Sequence, residues 1–149
     1  MRRKLALASL LLAILCAPAT ALRDTAHGTV TKSDDSEIIV AFGEHEGNVT
    51  ERTVTSGSCK LHWGMLSLGP DGSALLKLEV SSLSASDKWR GQFLLRDKEN
   101  NELGGVPSSG TFEVEIKELL PKRVGIVIPM SFEASLFKRI ASARMTMEC

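Results

Sequence analysis

Glu44-His45-Glu46 sets an imidazole between two carboxylates, the composition of an acid–base or metal site. Neighbours in a strand point to opposite faces, however, and Gly43 and Gly47 mark this stretch as a loop. A metal site needs three or four convergent ligands, and none is marked. A solvated turn is the better reading. His27 and His62 stand alone, and His62 falls out of phase with its apolar neighbours, which places it toward solvent or on the sheet's second face. No Gly-x-Ser-x-Gly elbow is present, and the serines sit in turns or on polar strand faces. Asp34-Asp35, and Asp97 with Glu99, Asn100 and Asn101, could offer oxygens to calcium, but neither group has calcium-loop spacing. Asn48-Val49-Thr50 is a glycosylation sequon that matters only in a eukaryotic secretory pathway. Trp63 and Trp89 stand in a chain without tyrosine and read as core anchors rather than a sugar-binding platform. The sequence thus marks no catalytic, cofactor-binding or metal-ligating residue.

The remaining reactive side chains are cysteines, and their compartment decides their chemistry. Met1-Arg2-Arg3-Lys4 precedes an apolar run from Leu5 to Cys16, and Ala19-Thr20-Ala21 has the small-x-small pattern of a signal-peptidase site. Residues 1–21 therefore read as a signal peptide, short and alanine-rich in the bacterial manner, cleaved after Ala21. Leu15 before Cys16 argues against lipoprotein processing. The expected address is periplasmic or secreted. Cys59 and Cys149 then remain, an even count in an oxidising compartment, and their expected fate is one intramolecular disulfide. Closing a loop of 90 residues would contribute roughly 4–5 kcal/mol on the chain-entropy account.

Removal of the leader leaves 15 basic against 18 acidic residues, interspersed and without a basic stripe. Nucleic-acid binding loses its electrostatic footprint, and no later apolar run is long enough to span a membrane.

The elements that would hold these residues are mostly strands. Period-two alternation runs through Ile38, Val40 and Phe42, and through Cys59, Leu61, Trp63 and Met65. The phase then slips to Leu66 and Leu68, which suggests a bulge at Gly64. Gly69-Pro70-Asp71-Gly72 is a turn, and Ala74, Leu76, Leu78 and Val80 alternate beyond it, so a long hairpin is expected there. Further inward sets are Trp89, Gly91, Phe93 and Leu95; Phe112, Val114 and Ile116; Val124, Ile126 and Ile128; and Ala141, Ala143, Met145, Met147 and Cys149. Phe132, Leu136 and Ile140, spaced by four, predict a short helix over 131–139. The expected fold is all-β and mainly antiparallel: a β-sandwich or flattened barrel over residues 37–149, behind a polar, loose segment at 22–36.

The stretch from Cys59 to about Leu103 resembles a family of small secreted bacterial domains of unknown function. The resemblance rests on Cys59-x-Leu61, the run Leu66 to Ala74 with Pro70-Asp71-Gly72, Asp87-x-Trp89, Phe93-x-Leu95 and the closing Cys149. It implies a fold and an exported address, and no mechanism. Residues 22–58 lie outside it. The functional expectation is an exported, non-enzymatic interaction module that recognises another protein or an envelope component, in the manner of inhibitors and immunity proteins. A secreted hydrolase with a site on scattered loop residues is the alternative, and a structural envelope protein the second. An exposed apolar patch or an open sheet edge would favour the binder, and a concave pocket with convergent titratable groups the enzyme.

Overall fold

The structure, a computed structural model, describes residues 24–43, 54–84, 86–117 and 122–149. The leader, Glu44-His45-Glu46 and Asn48-Val49-Thr50 lie outside the described residues. The strands are β1 (Asp24–Ser33), β2 (Ile38–Gly43), β3 (Val54–Ser56), β4 (Cys59–Leu68), β5 (Ser73–Ser82), β6 (Asp87–Arg96), β7 (Glu102–Val106), β8 (Phe112–Ile116), β9 (Val124–Ser131) and β10 (Ser142–Glu148). They form one antiparallel sheet in the order β7-β6-β10-β1-β2-β4-β5-β9, with β3 added to β4 and β8 to β6. The sheet curls into a half-barrel.

The curl is made by β1. Its residues 24–28 pair with β10 and its residues 29–33 pair with β2, so one strand serves both halves. Gly28 sits at the change of partner, where a β-carbon would collide with the Val40 and Phe42 side chains. Polar composition predicts a loose segment at 22–36. Residues 24–33 are instead an internal strand. Their outward positions are polar and their inward ones small, so alternation left no trace.

The long hairpin stands as expected, with β4 and β5 of ten residues each. Gly72 takes φ 84°, its N–H donates to Gly69 O, and Asp71 Oδ1 accepts from the Ser73 N–H. The bulge is not at Gly64. The register shifts between Leu61 and Trp63, at His62. The phase therefore turns two residues earlier than the sequence suggests, and Gly64 faces the core while Trp63 and Met65 are half-buried on the outside. Of the two tryptophans only Trp89 anchors the core, edge-on to Phe112.

Inside the curl, Phe42 and Phe93 lie 5.3 Å apart and Phe93 stacks on Phe112 at 5.8 Å, joining the two halves. Leu66, Leu68, Leu76, Leu95 and Met145 complete a dry centre. The short helix is a 3-10 helix, Ala134–Arg139, which buries Phe137. Phe132 and Ile140 are also buried, but Leu136 is half-exposed, because three residues per turn replace the expected 3.6. Cys59 and Cys149 are joined by a disulfide with Cα atoms 5.8 Å apart. Cys59 is buried, whereas Cys149 lies one residue past the end of β10 and outside the core. The bridge fastens the last strand of one half to β4 of the other.

Candidate interaction surface

Each strand shows one face to the core and one outward, so the register of the sheet decides which outward residues become neighbours. Across β2, β4, β5 and β9 one outward row reads Ile39, Ser67, Leu75, Pro129. The next reads Ala41, Met65, Lys77, Val127. Ile39, Met65, Leu75, Val127 and Pro129 thus form an apolar band on the outside of the molecule, interrupted by Ser67 and Lys77, with Ile39, Met65 and Leu75 half-exposed and Val127 61% exposed. A shallow depression runs along the first row, bounded by Glu37 and Ser36 at one end and Pro129 and Met130 at the other.

The band ends on an open edge. β9 pairs with β5 on one side, and among the described residues no strand pairs with its other side. Inward residues of β9 show the consequence: Ile126, Ile128 and Met130 are only partly buried, while Leu76 and Leu78 opposite them on β5 are 0% and 2% exposed. At one end a bond from Ser108 N–H to Ser131 O, 2.9 Å, ties the loop after β7 to the end of β9. Val124 to Ser131 carries no charge, and Pro129 is the one device on it that blunts a sheet edge.

Among the described residues, the histidines and acidic groups that chemistry singled out do not converge. His27 is exposed on β1. His62 is not on a solvent face: the bulge turns it inward, and its Nε2 lies 2.7 Å from Ser81 Oγ. Histidine beside serine has the composition of a nucleophile and its base, but Ser81 is fully buried, so its hydroxyl meets no substrate in this conformation. Asp34 Oδ1 accepts from the Ser36 and Glu37 N–H groups and from Ser36 Oγ, which holds its carboxyl far below the usual range. Asp97 accepts from Asn101 N–H and Nδ2, which lowers it too. Both carboxylates cap turns.

The apolar band does not follow from strand alternation alone, yet it leaves a signal in the sequence. Ile38-Ile39-Val40, Met65-Leu66, Leu75-Leu76 and Ile126-Val127-Ile128 are apolar in both phases, where a half-solvated sheet calls for alternation. No curated protein and no solved structure matches the chain significantly. Residues 65–149, which contain the end of β4, the turn and β5 of the hairpin, the edge strand β9 and Cys149, match a family of unknown function, DUF6294, and the chain belongs to that family.

Proposed function

We propose that this domain is an exported binding module that recognises another protein or an envelope component through the outer face of β2, β4, β5 and β9. The observation that carries the reading is the apolar band in register across four strands and running out onto an unpaired edge. Contiguous apolar surface is costly in water and marks contact sites when it recurs on a folded domain. An unpaired edge adds main-chain donors and acceptors that an extended segment can satisfy. Export rests on the leader grammar of residues 1–21 and accords with a disulfide-bonded β domain.

The test compares the wild type with Leu75→Asp, Val127→Asp and Arg90→Ala as immobilised baits in envelope extract. A component retained by the wild type and by Arg90→Ala, and lost by both aspartate variants, is the expected result. Equal retention by all four proteins, or no retention by any, would overturn the proposal.

A further inference from the structure

The bridge has a third group beside it. Both sulfurs of Cys59 and Cys149 and a carboxylate oxygen of Asp87 lie within 4.8 Å of one another. Asp87, at the start of β6, is held there by Ser58 Oγ at 2.5 Å and by Ser82 Oγ. These hydrogen bonds also keep its carboxyl below the usual range, so it is ionised at neutral pH. Ser58 Oγ lies 3.7 Å from the Cys149 sulfur.

We propose that when the disulfide is reduced, Cys59, Cys149 and Asp87 form a binding site for Zn2+, which refastens the last strand in place of the bridge. Reduction by a dithiol transfers two electrons and two protons: the sulfur–sulfur bond breaks, two thiols form, and the dithiol closes to its own disulfide. Binding of the cation then displaces the two thiol protons. Two thiolates favour a borderline or soft cation over calcium or magnesium. At Zn–S distances of about 2.3 Å, the sulfurs of a tetrahedral site stand roughly 3.8 Å apart, so they must separate from bonding contact. Cys149 can supply that movement, because it lies beyond the last paired residue of β10. Three protein ligands leave the fourth position to water. Ser58 and Ser82 stay on the carboxylate and orient it, the part that hydrogen-bonding partners of a ligand play in metal sites.

The test uses the full mature chain, reduced and kept free of oxygen, titrated with Cd2+ as a spectroscopic stand-in for Zn2+. Thiolate-to-cadmium charge-transfer absorbance should saturate at one ion per chain, and the oxidised protein should show none. Zn2+ should displace the cadmium. Asp87→Asn should weaken binding by at least about 10–100-fold, the loss typical when only a hydrogen-bonding partner of a ligand is removed. Its oxidised form should keep the wild-type circular dichroism, which separates loss of a ligand from loss of the fold. Ser58→Ala should weaken binding in the same direction by a smaller factor. Binding by Asp87→Asn equal to wild type would overturn the proposal, as would a reduced wild type that takes up no ion.

Discussion

The two halves of the curled sheet share one core and differ on their outsides. Around β6 and β10 the outer rows are charged and paired. Arg90 reaches Glu113 at 2.6 Å and Glu148 at 3.7 Å, and Lys88 adds to Glu113 at 3.4 Å. Around β4 and β5 the outer rows instead set Ile39, Met65, Leu75 and Val127 beside Ser67 and Lys77, and Glu79 pairs with Arg123 at 2.8 Å one row further along. Stability does not require the difference, since the central inward residues are equally buried in both halves: Phe93 and Leu95 on one side, Leu66 and Leu76 on the other. A face that gains nothing for the fold by being apolar is the one to assign to a partner. The open edge lies on the same side, so the face and the backbone groups of β9 can act on one segment together.

A single core has the largest measurable consequence. Leu95→Ala in one half and Leu76→Ala in the other should each cost about 2–5 kcal/mol, the range for large-to-small changes at buried sites. Denaturant unfolding followed by tryptophan fluorescence and by circular dichroism should give one coincident transition for both variants. Two separable transitions would mean that the halves fold as units, and that the contrast is between domains rather than faces.

The bridge comes next, because it ties the halves together. Replacing Cys59 and Cys149 with serine should lower stability by about 2–5 kcal/mol, with unchanged far-ultraviolet dichroism under native conditions. Hydrogen exchange should loosen first in β10, whose far end the bridge holds. Loosening that begins in β4 would show the C-terminal strand to be fixed by pairing with β1 and β6 alone.

Local pattern carried much of this architecture. Leu76 to Val80, Trp89 to Phe93 and Ala143 to Met147 alternate cleanly, because each is a strand stretch with one wet face. The fold class and the main hairpin follow from them. Phase arguments failed where the chain departs from a regular strand. The bulge at His62 moved Trp63 outward and His62 inward, and nothing in a period-two pattern distinguishes a slip there from one at Gly64. β1 was illegible because a corner strand packed against Phe42 needs a glycine rather than a large apolar residue. The interaction surface depends on which strands are neighbours, and β5 meets β9 across more than forty residues of intervening chain. Runs such as Ile126-Val127-Ile128 hinted at a two-sided apolar strand, but only the register shows that they align into a band.

The outer faces themselves should differ in solubility more than in stability. Val127→Asp and Arg90→Ala are both exposed changes, and each should alter unfolding free energy by no more than about 0.5 kcal/mol. Binding of an apolar dye to the native protein should fall for Val127→Asp and stay constant for Arg90→Ala. An equal response from the two variants would remove the distinction on which the proposed surface rests.

The smallest effects should appear in acid, and they separate two sources of carboxylate stabilisation. Glu113 is lowered from its ordinary value by the hydrogen bond and ion pair from Arg90, with Lys88 assisting. Asp71 is lowered by the Ser73 hydroxyl and N–H, with no ion pair involved. A carboxyl depressed in the folded state favours folding above its unfolded value, about pH 4, and loses that contribution as pH falls through the folded value. Both groups should therefore leave stability unchanged from neutrality to about pH 5 and contribute to its decline below pH 4. Salt should tell them apart. Screening weakens exposed charge pairs and leaves short hydrogen bonds to a neighbouring N–H largely intact. Carboxyl carbon shifts followed by nuclear magnetic resonance at low and at molar salt should show Glu113 moving back toward its ordinary value, while Asp71 stays where it was. If Asp71 moved as far as Glu113, its shift would come from the general field of the surface rather than from its turn, and the charged face would extend further round the sheet than the paired residues indicate.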